Sequence, residues 1–155
     1  MLTVADLAWT AGIIDGEGSI FVMRQKRKDR ERDTNFILRV SVQSTDPYMT
    51  KELLKMFPDG AEFSVQRERG HGWSDTLKWQ LNGKKAARFL KEIMPFLRVK
   101  QEQAKLAIEF QETTKKHWRH MLPVDYEKQA FLYAALKQAK IDLKIGQEHT
   151  ITKES

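Results

Sequence analysis

The spacing of apolar positions changes several times along the chain. Between residues 4 and 15 it is helical: Leu7, Ala11 and Ile14 share a face, with Ala8 and Gly12 beside it. A strand is predicted to begin at Ser19 and run into the charged stretch RQKRKDRERD. NFILRVSVQS, residues 35–44, alternates. Phe36, Leu38, Val40 and Val42 fall on one face, and Ile37, Arg39, Ser41 and Gln43 on the other. TDPYMTKELLKMF reads as a helix with Asp46 as N-cap and Pro47 in the first helical position. Two more strands are predicted over 61–69 and 73–81, joined through the turn GHG. In the latter, Leu77, Trp79 and Leu81 face one side, and Thr76, Lys78 and Gln80 the other. From Lys84 onward the pattern is helical, over 84–94, 99–116 and 124–143, with the last ten residues expected to fray. No internal repeat or low-complexity linker interrupts this order.

The predicted class is α+β: an αββαββα core with a four-stranded sheet covered on one apolar face by helices. The segment from about 120 to 155 reads as a C-terminal helical extension of the same domain. The opposite sheet face carries Gln25, Arg27, Arg39, Ser41, Gln43, Lys78 and Gln80, with Arg67 and Arg69 expected nearby. Such a ribbon suits the major groove of DNA, where Arg and Lys bond guanine edges and Gln bonds adenine. An ordinary solvated sheet face is the plainer alternative. One conflict stands in 61–69: Phe63 and Val65 share parity with Arg67 and Arg69, and one bulge would reconcile them. The stretch Arg24–Asp33, with six basic and three acidic residues, is either a solvated hairpin tip or a phosphate-reaching one.

Composition narrows the partner. The 155 residues carry a net charge of +6 and a pI of about 9.5, which favours nucleic acid or an anionic membrane surface. The absence of cysteine excludes disulfides and thiolate metal sites. No apolar run approaches membrane-spanning length. The first residues, MLTVADLAW, do not read as a signal or transit peptide, so an intracellular protein is expected.

The chemistry concentrates where the first helix hands over to the first strand, in TAGIIDGEGSIFV. Asp15 and Glu17 stand here beside Gly16 and Gly18. The bland reading is a glycine C-cap with exposed acids. Yet acids at a helix C-terminus meet the negative end of the dipole and call for a cation. Two glycines would permit a tight chain exit and close approach of a phosphodiester.

Residues 10–18 resemble the LAGLIDADG motif of homing endonucleases. Thr10 stands at the first Leu; Ala11, Gly12, Asp15 and Gly18 match. Ile13 and Ile14 are conservative, Gly16 replaces Ala, and Glu17 replaces the second Asp. The order of elements over about 4–116 is also that of the family. A single motif resembles the branch whose members work as homodimers. The resemblance implies a saddle-like antiparallel sheet and a site-specific double-strand DNA endonuclease. The target would be pseudo-palindromic, on the order of two helical turns long. It implies close packing of paired motif helices through Ala8, Ala11 and Gly12. At the dimer axis, Glu17 and the Gly16 carbonyl from both copies would hold Mg²⁺, with Mn²⁺ able to substitute. Water would then attack in line, and relatives leave short 3′ extensions.

Further roles carry over from the resemblance. Gln43 matches a polar strand-end residue that orients solvent. Lys100, in FLRVKQEQA, matches a basic residue close to the reacting water. Asp15 reads as structural. Gln25, Arg27, Arg39, Ser41, Arg67, Arg69, Thr76, Lys78 and Gln80 are the candidate DNA contacts of the sheet. Two departures matter: Glu17 is longer than the usual Asp, and Pro47 occupies a position near which relatives carry a polar residue. The basic helix end around Lys115, Lys116, His117, Arg119 and His120 reads as a phosphate contact, with Lys116 singled out. The His117–His120 pair lacks a third zinc ligand. Trp73, Trp79, Trp118 and Phe89 read as core or interface aromatics. Two competing functions stay open. One is a non-cleaving sequence-specific DNA- or RNA-binding protein of this fold, a regulator or an intron-splicing maturase with intron RNA as partner. The other is a basic adaptor for acidic proteins or lipid surfaces.

Overall fold

A computed structural model describes residues 1–26, 34–66, 75–114 and 120–154, with the side chains of 26, 34, 35 and 147–154 left out of account. The first helix, α1, spans Val4–Glu17. A capping box starts it: the Thr3 hydroxyl accepts from the Asp6 N–H, and the Asp6 carboxylate accepts from the Thr3 N–H. Strands β1 (Gly18–Lys26) and β2 (Thr34–Ser44) follow. Helix α2 (Pro47–Met56) has Asp46 as its N-cap, accepting from the Tyr48 N–H at 2.9 Å, and Pro47 in its first turn, as predicted. Then come β3 (Ala61–Val65), β4 (Thr76–Asn82) and α3 (Gly83–Ile93). A 3₁₀ turn at Met94–Phe96 leads to α4 (Gln101–Thr113), and α5 runs over Pro123–Glu154. Gly83 has φ +58°, the one left-handed residue among those described, at the sharp passage from β4 into α3.

The four strands form one antiparallel sheet in the order β1-β2-β4-β3. This is the predicted α+β architecture. Alternation settles its two faces. Ile20, Leu38, Val40, Val42, Trp79 and Leu81 point into the core, where Ile14, Leu53, Phe89, Leu90, Ile93 and Phe110 meet them from the helices. Each such side chain contributes about 1.5–3 kcal/mol by leaving water. Phe36, at the rim, meets Phe110 edge-on and Tyr133 at a tilt instead of being fully enclosed. Leu132 and Leu136 of α5 are buried in the same core, so the C-terminal extension is packed onto the domain.

Three expectations change. First, α1 is two residues longer than its apolar period, so Gly16 and Glu17 belong to its last turn. Second, α5 continues helical to Glu154, through the segment expected to fray. Third, β3 has the opposite facing from the one its apolar residues suggest. Its register sets Phe63 beside Lys78 and Val65 beside Thr76, on the polar side of the sheet, while Glu62 stands opposite core-facing Trp79. β3 is an edge strand, with little core left to cover, and Phe63 is exposed there. No bulge is needed within Ala61–Val65. Arg67 and Arg69, and the GHG turn, lie outside the described residues, as do Trp73 and Trp118. Among the described residues, no helix is long and apolar enough to cross a membrane.

Candidate catalytic centre and nucleic-acid face

The last turn of α1 is held by two residues distant in sequence. The Asp15 carboxylate accepts hydrogen bonds from the backbone N–H of Arg98 at 2.8 Å and of Lys100 at 2.9 Å. Both oxygens are thereby committed to the turn before α4. This is the structural role expected for Asp15. The Lys100 side chain then folds back: its ammonium donates to the Ile14 carbonyl at 2.9 Å and to the Gly18 carbonyl at 2.6 Å. α1 has no basic residue in its own last turn. Lys100 supplies the missing cation at the negative end of the helix dipole. Burial lowers the Lys100 pKa below the usual lysine value; the Asp15 and Glu17 charges oppose that shift, and the Lys140 charge adds to it.

Glu17 is exposed at the tip of this arrangement. Among the described residues its carboxylate has no hydrogen bond or ion pair, unlike Asp15. The two glycines serve different ends. A Cβ on Gly18 would lie 2.7 Å from both Cα and O of Ile14, so the chain leaves α1 against the helix backbone and only hydrogen fits. The Gly18 backbone is ordinary extended chain, so steric room and not a special dihedral selects glycine. A Cβ on Gly16 or on Gly12 would meet nothing within 4 Å; both are open surface.

That surface is the outer side of α1. Ala5, Ala8, Trp9, Gly12 and Gly16 are all exposed along it, and Trp9 is 42% accessible. Ala8 and Gly12 therefore lie where a partner helix could reach them. Ala11 does not: it is 0% exposed and belongs to the chain's own core. The grouping of Ala11 with Ala8 and Gly12 is corrected by the helix period, which turns Ala11 toward the interior with Ile14.

Gln43, next to the last residue of β2, has an exposed side chain whose amide donates to the Thr76 hydroxyl at 2.6 Å. Thr76, read from sequence as a DNA contact, is only 2% exposed and serves as that acceptor. Ser41 lies on the polar face as expected, yet is 6% exposed, flanked in register by Ser19 and Gln80. Arg39 donates from Nε to the Asn82 side-chain carbonyl at 2.9 Å, which fixes its stem. Lys78 has its ammonium 6.0 Å from the Phe63 ring centre. Gln80 holds a buried side-chain oxygen with no partner among the described residues. Gln25 is exposed near the end of β1, on the side of Ser19 and Phe21. Arg27, Arg67, Arg69 and Lys116, with His117 and most of the Arg24–Asp33 stretch, lie outside the described residues. Asn82 and Lys140 were not singled out by the sequence pattern; each is read only through the partner it meets across the fold.

A four-stranded antiparallel sheet covered by helices is the architecture found in homing endonucleases. Solved structures share it. I-CvuI, in complex with its target in the presence of calcium, aligns over 88% of this chain and 85% of that chain, with a TM-score of 0.71 at 20% identity. The archaeal intron-encoded homing endonuclease I-Vdi141I, complexed with DNA, covers 87% and 84%, with a TM-score of 0.71 at 16% identity. For the meganuclease I-SmaMI bound to uncleaveable DNA the TM-score is 0.64 at 16% identity, over 85% of this chain and 45% of that chain. The chain has the homing-endonuclease fold. No family model and no curated protein matches it.

Proposed function

We propose that the chain is a LAGLIDADG homing endonuclease of the single-motif branch, cutting both strands of a pseudo-palindromic DNA as a homodimer. The observation that carries this reading is the division of labour between the two acids. Asp15 is used up by backbone N–H groups, while Glu17 has no hydrogen bond or ion pair among the described residues and acts on the pinned Lys100 ammonium only through its charge. A purely structural cap would need no second acid.

The donor set fits a divalent ion. The Glu17 carboxylate and the Gly16 carbonyl are hard oxygen donors at an exposed helix end, suited to Mg²⁺ or Mn²⁺. Among the described residues no group of three or more acids or histidines stands together in one copy, so the site would be completed by Glu17 of a second copy and by phosphate oxygens. The I-CvuI complexes contained calcium or, with DNA not cleaved, magnesium, which supports use of such an ion. When bound, the ion supplies Lewis acidity and positive charge at the scissile phosphate.

The chain's own residues do the rest. Glu17 places negative charge at the helix tip to hold the cation. Lys100 keeps a fixed positive charge behind the reacting phosphate, and Asp15 positions Lys100 through its backbone. Gln43, steadied by Thr76, orients solvent. Two α1 helices meet through the open face containing Ala8 and Gly12. That this chain spans 45% of I-SmaMI supports a two-copy assembly of comparable size. The sheet faces the major groove, with Arg39, Lys78, Gln80 and Gln25 toward base edges.

Selection of cleaved sites from a randomised duplex library, with Mg²⁺ and with chelator, tests the reading. A symmetric consensus recovered only with Mg²⁺ is expected. A bound consensus that is never cut would favour a non-cleaving binder, and salt-dependent binding with no consensus would favour a basic adaptor.

A further inference from the structure

A cavity of about 310 Å³ lies between β1 and α5, at the open edge of the sheet. Ser19, Phe21, Tyr133, Leu136, Lys137 and Lys140 line it. Strand β1 is an edge strand, and α5 passes along it with Leu132 and Leu136 turned into the core. One turn beyond Leu136, Lys140 reaches around the edge. Its ammonium lies 3.3 Å from the Ser19 hydroxyl and 5.6 Å from the centre of the Phe21 ring. Lys137 places its own ammonium 4.7 Å from the Tyr133 ring centre at the mouth of the cavity.

The charge balance here is incomplete. Neither lysine forms an ion pair with a carboxylate among the described residues. Lys140 is half-buried, and burial lowers its pKa, with no acid among the described residues offsetting the shift. Burying an ammonium is costly unless an anion or several acceptors compensate. A hydroxyl and a ring face compensate only in part. Lys100 adds a third cation next door: it is bound to the carbonyl of Gly18, while Lys140 is bound to the side chain of Ser19, the following residue. Lys137 and Lys140, two cations with no paired acid among the described residues, converge on one strand end and are organised for an anion.

We propose that this cavity is a phosphate-binding site, in which Lys140, Lys137 and the Ser19 hydroxyl hold one phosphate group beside the Glu17 centre. On the proposed function, the phosphate belongs to the DNA backbone next to the one cut, and α5 is then part of the substrate clamp. The cavity wraps the open edge of β1: Ser19 and Phe21, which pair with Ser41 and Arg39, line it from the polar side, and Val22 and Leu136 from the core side. Phosphate contacts position the duplex without reading its sequence.

The test uses the full chain with ¹³C-labelled lysine, titrated separately with pyrophosphate and with a short duplex of unrelated sequence. In parallel, the salt dependence of duplex binding is measured for Lys140→Met, Lys140→Arg and, as a control on the same helix, Lys128→Met. The site predicts that both ligands move the Lys140 signal. Lys140→Met should lower the salt slope by about 0.9 per protomer, while Lys140→Arg and Lys128→Met retain it. If Lys140→Met does not fold, the labelled wild type and the Arg variant decide. Movement with pyrophosphate but not with duplex would uphold the phosphate site and overturn the DNA reading. A Lys140 signal unmoved by either ligand, with an unchanged slope, would overturn the site; cleavage by the wild type would then leave the proposed function standing.

Discussion

Replacing Asp15 by Ala removes the acceptor of two backbone N–H groups at once, those of Arg98 and Lys100. Hydrogen bonds to a charged group contribute roughly 1.5–3 kcal/mol each when shielded from water. The Arg98 bond is exposed and falls below that range, whereas the Lys100 bond is part-buried and leaves an unsatisfied donor when lost. Together they should amount to about 2–4 kcal/mol. At about 2–4 °C per kcal/mol for a chain of this size, the midpoint of thermal unfolding should fall by about 5–15 °C. Asp15→Asn should lie between, since its one carbonyl can still accept. The same loss frees the turn that presents Lys100, so cleavage at a temperature where Asp15→Ala remains folded should fall further than binding does. Calorimetry on the purified variants, followed by paired binding and cutting assays, measures both effects. A midpoint within about 2 °C of wild type, at the precision such scans allow, would refute the anchoring role of Asp15.

Three other outcomes rest on the same fold. A Cβ at Gly12 meets nothing within 4 Å inside the chain and Gly12→Leu gains roughly 0.8 kcal/mol of helix propensity, so the fold should survive while the dimer is lost; a dimer of wild-type size in sedimentation would contradict the assigned α1 face. Arg39→Ala should cost roughly 1–3 kcal/mol in binding and relax preference at one position in each half-site; a uniform loss over all single-base variants would remove Arg39 from the reading surface. Hydrogen bonds from Thr3 hold the Asp6 carboxyl below its ordinary value of 3.8, so its contribution to stability is present above that pH and disappears as pH falls through the lowered value; Asp6→Asn should flatten the acid limb of stability against pH, and identical limbs would rule the cap out as its source.

Strict alternation in 35–44 made β2 and its two faces legible, because a period of two leaves no choice of facing once one side is buried. The N-cap at Asp46 and the helix after it were legible for similarly local reasons. The inward facing of Ala11 was legible too, from its shared face with Leu7 and Ile14, and grouping it with Ala8 and Gly12 by small size alone set that period aside. Thr76 and Ser41 were read as exposed because strand parity fixes a face but not how far neighbouring side chains cover it. At β3, parity misled, because an edge strand can leave Phe63 outside at modest cost. At the candidate centre, Asp15 and Glu17 were visible as a pair. Their separate fates depend on Arg98 and Lys100, more than eighty residues away and invisible to any local pattern. Lys140 lay further still from notice, on a helix whose docking along β1 only the fold reveals.

The central claim is that Glu17, and not its neighbour Asp15, holds the catalytic cation. Cleavage and binding should be measured for wild type and Glu17→Gln on one DNA site recovered by selection, across a Mg²⁺ titration. Glu17 is exposed and has no hydrogen bond or ion pair among the described residues, so the amide should leave folding and binding near wild type. The account predicts Mg²⁺-dependent cutting by wild type and none above background by Glu17→Gln, with equal affinity for the site. Cutting by Glu17→Gln at the wild-type rate would contradict it.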